Sequence, residues 1–402
     1  MRLAPSLAAL LTFLSLVMTS SFAADSAPKA TPFDQALKLI DTLVDKKLPQ
    51  PEPFGETEYD LFNAMESGVV PVDPAFCERI KLIEITDDLL PVLNQPFERK
   101  PGEIIPNTGN LVASKLFALR GNLLCQQGAI AEGQAWLLKP RAMARRAGRD
   151  QSLIALMFAC ALEDIGLHNA ALYAEKWSEQ DRLAYVKASE TLPPLTGLAA
   201  AFRQDDSVLP KELSAGTLIL ELKQLPPAQQ AELIKKRFEP WIGFARDQKN
   251  YVQRYRFLFT HHSPESWGTL NAKVAEELEP LTVEKLEAFA ARNAAALKHV
   301  EADEAKPDAT PTAQDADSKA EALYRTLYCQ NIEAIARRLL DLQLRSKLLH
   351  VAMRKGLAFD ATDLANLTTA DGKPLTLGKH DGVKAILAPG SDAPFLIIGP
   401  VK

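Results

Sequence analysis

The sequence predicts a mainly α-helical protein: stacked antiparallel helical hairpins, tetratricopeptide-like in part, then a long C-terminal helix and a small C-terminal antiparallel β meander. Three observations carry this reading. Glycine is scarce, 19 of 402 residues, while alanine and leucine abound, a composition that favours helix propagation. Apolar residues recur at helical spacing through most of the chain, punctuated by Gly and Pro. After Gly356 the period changes, and short β-prone runs alternate with turn residues.

The first element is a leader. Arg2 precedes an apolar run from Leu7 to Met18, followed by Thr19-Ser20-Ser21-Phe22-Ala23-Ala24. A positive start, a short apolar core and small residues at the cut are the order of a signal peptide. Cleavage after Ala23 places Ser21 at −3 and Ala23 at −1, giving a signal peptide over residues 1–23. The run is shorter than the ~20 residues a spanning helix needs. No Cys follows it for lipid attachment, and no later segment reads as a membrane span. The expectation is an exported, soluble protein, periplasmic or extracellular.

Residues 25–110 read as a helical and Pro-rich region. A helix is expected over Asp34–Lys47, with Leu37, Ile40, Leu43 and Val44 on one face and Asp34 as its N-cap. A short helix over Thr57–Ser67 follows, between Pro-containing turns. Residues 111–300 read as the hairpin domain. Helices are expected over Leu111–Gln127, Ile130–Ala147 with a kink at Pro140, and Ser152–Ile165, each stopped by the glycine beyond it: Gly128, Gly148 and Gly166. A fourth helix is expected from His168 to about Trp177. The Gly128 and Gly166 segments look like one helical-hairpin unit used twice.

Further helices are expected over Lys211–Leu222, from Ala228 to about Phe238 behind Pro226-Pro227, over Trp241–Phe259, from Ser263-Pro264-Glu265, and over Thr282–Val300. Residues 301–317 are acidic, rich in Ala, Thr and Pro, and read as a disordered linker. Residues 318–402 close the chain. One long helix is expected over Ser318–Lys355, striped by Tyr324, Tyr328, Ile332, Ile335, Leu339, Leu342, Leu349 and Met353. Strands are expected over Pro374–Gly378, Val383–Leu387 and Phe395–Val401, with Asp381-Gly382 as a tight turn.

Composition narrows the function classes. Hydrophobic residues make up 47%, ordinary for a globular protein. The net charge of −5 does not favour nucleic acid as a partner. The patterns of zinc proteases, serine hydrolases, P-loop enzymes, dinucleotide-binding folds and calcium loops are missing from the sequence, so no catalytic, cofactor or metal residue is assigned. Four cysteines, Cys77, Cys125, Cys160 and Cys329, permit two disulfides in an oxidising compartment. Cys125 and Cys160 are the more plausible pair, and the competing reading is four small buried hydrophobes.

Other residues carry both a functional and a bland reading. His261-His262 with Glu265, after the basic and aromatic run Tyr251–Phe259, could be a metal or acid/base site or a nucleic-acid surface. The bland reading is an amphipathic helix with its aromatics inward. Arg141, Arg145, Arg146 and Arg149 could grip an anion, but read first as a solvated helix face. Glu163-Asp164 and His168 are catalytic ingredients that read first as capping and surface chemistry. Asn366-Leu367-Thr368 fits the glycosylation pattern.

The segments Leu119-Arg120-Gly121 to Gly128, Trp136-Leu137-Leu138 to Ala144-Arg145-Arg146-Ala147-Gly148, and Arg337-Arg338-Leu339 leading to Asp371-Gly372-Lys373-Pro374-Leu375 resemble a loose class of exported bacterial helical proteins without a described activity. The resemblance covers about half the chain and transfers no site residue. The leading expectation is a non-enzymatic interaction or scaffold protein that contacts protein or an envelope polymer, without cofactor. The alternative is a hydrolase of envelope polymers that draws Glu, Asp and His from separate helices.

Overall fold

The computed structural model describes residues 58–68, 70–93, 108–148, 152–208, 214–238, 248–304, 313–380, 382–391 and 394–399. The signal peptide and the helix expected over Asp34–Lys47 lie outside them. The protein is mainly α-helical, with a small C-terminal antiparallel three-stranded sheet.

The first part of the chain, up to Ala171, holds α1 (Glu58–Glu66), α2 (Pro74–Arg79), α3 (Leu82–Leu93), α4 (Thr108–Gln126), α5 (Ile130–Leu137), α6 (Lys139–Gly148) and α7 (Leu153–Ala171). The α4–α5 hairpin turns at Gly128, whose φ of 85° is the left-handed conformation expected there. At Pro140 the helix breaks instead of kinking, because a proline ring collides with the carbonyl four residues back; α5 stops at Leu137 and α6 starts at Lys139.

Gly166 corrects a second expectation. It does not end a helix; α7 runs through it to Ala171, and residues 172–177 form the turn where a fourth helix was expected. A Cβ on Gly166 would lie 2.4 Å from Cγ of Arg141. The glycine is there to let α6 approach α7. The next helix is α8 (Glu179–Glu190), N-capped by Ser178, whose hydroxyl accepts from the Asp181 amide.

The middle of the chain supplies α9 (Leu198–Val208), α10 (Ala215–Gln224), α11 (Pro227–Arg237), α12 (Gln248–His261), α13 (Pro264–Glu277) and α14 (Val283–Glu304). Ser214 caps α10, and Ser263 and Ser266 form a capping box on α13. The segment expected to be an acidic linker is helical at both ends: α14 reaches Glu304 and α15 (Ala313–Leu327) starts before residue 317. Two of its acids are paired, Glu304 with Arg254 and Asp317 with His261 at 2.8 Å. The single long helix expected after it is two. α15 ends at Leu327 and α16 (Gln330–Lys355) begins after a wide turn in which the Cys329 amide donates to the Tyr324 carbonyl five residues back.

Two apolar cores meet at α7. Ala159 and Leu162 face an N-terminal core with Phe62, Phe76, Phe117 and Trp136; Leu156, Cys160 and Leu167 face a larger core shared with α8 to α16 and the sheet. By length and composition α7 can cross a bilayer, contrary to the sequence reading, yet most of it is covered by neighbouring helices. An amphipathic stripe suits a helix with one wet face; a helix apolar nearly all round is what a position between two cores requires.

The meander has the order β1 (Thr376–His380), β2 (Val383–Leu387), β3 (Leu396–Ile397), all antiparallel. It is docked on the helices: the Gly399 amide donates to the Ala171 carbonyl at 3.2 Å, and Lys384 Nζ lies 2.8 Å from both Glu175 Oε1 and the Phe359 carbonyl.

Gly166→Ala is expected to cost about 1–3 kcal/mol by overpacking against Arg141. Gly268→Ala, also inside a helix but with nothing within 4 Å of its Cβ, is expected to gain up to about 1 kcal/mol. Urea unfolding of the two variants checks the contrast; equal shifts would contradict the close-approach role.

Candidate functional site

Two of the arginines that read as a solvated face, Arg141 and Arg145, are the centre of a buried polar cluster. Arg141 is 2% exposed and Glu163 is 1% exposed, so both expectations of surface chemistry are corrected. The reason is positional. α6 lies flat on α7 through Gly166, which turns Arg141 toward α7 rather than toward water.

Arg141 Nε donates to Glu163 Oε1 at 2.9 Å. Its other nitrogens reach two hydroxyls on different helices, Ser189 Oγ of α8 and Ser346 Oγ of α16 at 3.1 Å. Arg145, one turn on, donates to Glu163 Oε1 at 3.0 Å, to the Arg141 carbonyl at 3.2 Å and to the Pro193 carbonyl at 3.1 Å. One carboxylate is therefore shared by two guanidinium groups, and one arginine ties four helices together. Burial and the neighbouring Arg141 push the Arg145 guanidinium down to about 10, still charged at neutral pH.

The cluster continues outward through α16. His350 Nε2 lies 3.0 Å from Ser189 Oγ, and its Nδ1 lies 3.8 Å from Glu190 Oε1, which also pairs with Arg354. Burial and then Arg141 push His350 down to about 4, against Glu190. Tyr185, fully buried on the next turn of α8, is raised by burial and lowered by Arg141 and Arg145, with burial prevailing.

Asp164 sits beside this cluster and takes Arg345 Nη1 at 2.6 Å. Burial raises it, but Arg345 and Arg338 outweigh that and hold it below the usual carboxylate range. Arg345 also covers the Phe395 ring at 4.8 Å, which fastens α16 to the sheet. His168 is separate: its Nε2 meets the Ser67 carbonyl at 2.8 Å, so it clasps α7 to the end of α1. A second buried polar chain lies there. Asn122 donates to Asn169 Oδ1 at 2.7 Å, and Asn169 donates to Glu66 Oε1 at 3.1 Å.

The remaining sequence candidates do not join the cluster. His261 pairs with Asp317, and His262 Nδ1 lies 3.3 Å from Ser266 Oγ, while Tyr255 and Phe259 of α12 face the core. Among the described residues no group of three or more His, Cys, Asp or Glu is placed to hold a metal ion. Cys125 and Cys160, expected as the more plausible disulfide pair, are free buried thiols, each pushed up to about 12 by burial, and Cys77 and Cys329 are also free and buried. Asn366 is exposed at a turn, with φ of 64°. Arg149 lies outside the described residues.

Sequence reading missed Ser189, Ser346 and His350. They are separated by up to 161 residues, and no linear motif links them. The signal was a polar residue inside an apolar stripe: Ser189 follows Tyr185 and Val186, and Ser346 and His350 flank Leu342, Leu349 and Met353.

No family model matches the chain, and no curated protein or solved structure matches it.

Glu163→Gln is expected to lower stability by about 3–5 kcal/mol, because it strands two buried guanidinium groups. Glu190→Gln, at the half-exposed rim, is expected to cost less than about 1 kcal/mol. Chemical denaturation of both checks this; similar losses would mean that burial of the inner pair does not govern its energetics.

Proposed function

We propose that the chain is an exported, non-enzymatic helical scaffold that acts through contacts of its outer surface with protein or an envelope polymer. The observation that carries this reading is that the charged groups at the centre of the cluster are committed to one another rather than to open space. Glu163 is committed to two arginines, and Ser189 is 4% exposed with Arg141 donating to its hydroxyl oxygen. A general acid or nucleophile needs a reacting atom within hydrogen-bond reach. The leader sequence supports export to the periplasm or beyond. The stacked hairpins support a surface that binds rather than a site that reacts.

A hydrolase is the second reading, and one juxtaposition favours it. Ser189 Oγ and His350 Nε2 are 3.0 Å apart with Glu190 behind the imidazole, a nucleophile, base and carboxylate in series. Against it, a histidine held near 4 is a weak base at neutral pH, and the 3.8 Å gap to Glu190 exceeds hydrogen-bond length.

A fluorophosphonate probe separates the two. The scaffold reading expects no adduct on Ser189 in the folded protein. Labelling that is abolished by Ser189→Ala would overturn it in favour of the hydrolase. Export is checked by the intact mass of the protein recovered outside the cytoplasm, expected to begin at Ala24; a product that retains residues 1–23 would contradict cleavage.

A further inference from the structure

We infer that the junction of α6, α8 and α16 is an acid-sensitive clasp, held while the His350 imidazole is neutral and released when it takes a proton. This goes beyond the scaffold reading and does not depend on it.

The geometry favours one state of the ring, in which both of these contacts of the serine hydroxyl, to Arg141 and to His350, are used. Ser189 Oγ accepts from Arg141, so among its contacts only His350 Nε2, at 3.0 Å, can receive the hydroxyl proton. That makes Nε2 an acceptor and puts the imidazole's single proton on Nδ1, toward Glu190. The chain Arg141 to Ser189 to His350 thus runs in one direction and links α6, α8 and α16.

A second proton on the ring reverses the last link of this chain. Nε2 becomes a donor to the second lone pair of Ser189 Oγ, the serine hydroxyl proton loses its acceptor, and an imidazolium stands next in line to Arg141. The clasp is thus weakened by an orphaned buried donor and by like charge. The groups that act on the ring are Arg141 from α6, Ser189 and Glu190 from α8 and Arg354 from α16 itself; Arg145, Glu163, Tyr185 and Ser346 stand behind them, around Arg141. Among the described residues Glu190 is the carboxylate that faces the new charge, and Arg354 already engages it.

The depressed histidine agrees in sign. A group whose folded pKa lies below its unfolded value contributes stability that is present above the unfolded value, near 6.5, and is lost as pH falls through the folded one, near 4. The window is therefore about pH 6.5 to 4.

Two measurements on the intact chain test the clasp. The first is the ¹⁵N imidazole spectrum of His350, assigned through its backbone, as a function of pH. The inference expects the Nδ1–H tautomer at pH 7 and a protonation midpoint below about 5. The Nε2–H tautomer, or a midpoint of about 6 or more, would overturn it. The second is hydrogen exchange, corrected for intrinsic rates, in α8 and α16 at pH 7 and pH 4.5. Protection is expected to fall at least about tenfold in the unsubstituted protein and less than about threefold in His350→Gln, which keeps an acceptor that does not titrate. An equal fall in both proteins, or none in the unsubstituted one, would overturn it. If the variant does not fold, the imidazole spectrum decides alone.

Discussion

The pair between Arg141 and Glu163 is the constraint on which the helical body depends. Two charges sit almost wholly out of water, and such burial is tolerated only when every donor and acceptor finds a partner. The partners come from four helices. Glu163 belongs to α7, Arg141 and Arg145 to α6, Ser189 to α8 and Ser346 to α16. The pair therefore specifies how those helices meet. A slip of any one by a turn would leave a buried charge or hydroxyl unmatched, a penalty that apolar packing alone does not impose.

The same constraint explains features that look unrelated in the sequence. Gly166 lies mid-helix because the Arg141 stem occupies the space a side chain would fill. Helix α7 is apolar nearly all round because it stands between two cores, and its few polar residues are each engaged: Glu163 and Asp164 by arginines, His168 by the end of α1, Asn169 by Glu66 and Asn122. The C-terminal sheet joins the same system. Arg345 binds Asp164 of α7 through an edge N–H of its guanidinium group and covers Phe395 with a face, so α16 carries the meander to the central helix.

Much of this was legible in the sequence, and the failures share one cause. The helical class, the Gly128 turn, the Ser263 cap and the position of β2 follow from local propensity, which needs no knowledge of neighbours. Gly166 was misread as a cap because a glycine at a helix end and a glycine under a crossing side chain look alike in one dimension. Arg141 and Glu163 were misread as solvated because burial of a charge depends on a partner 22 residues away, and a surface location is the usual outcome for each type. The break at Tyr328–Cys329 was hidden by an apolar stripe that continues on both sides of it. Ser189, Ser346 and His350 were invisible as a group, since a polar residue in an apolar stripe announces a partner without saying where it is.

A double-mutant cycle tests the central claim most directly. Arg141→Met, Glu163→Leu and the combined variant are compared with the unsubstituted protein by equilibrium unfolding. If the pair organises the helical junction, Glu163→Leu strands both guanidinium groups and Arg141→Met leaves Glu163 to Arg145 alone. The combined variant, which removes the more deeply buried guanidinium, recovers part of the Glu163→Leu loss. The coupling energy should then exceed about 2 kcal/mol. Losses that add within about 0.5 kcal/mol would show that the two residues contribute independently, and would contradict the account.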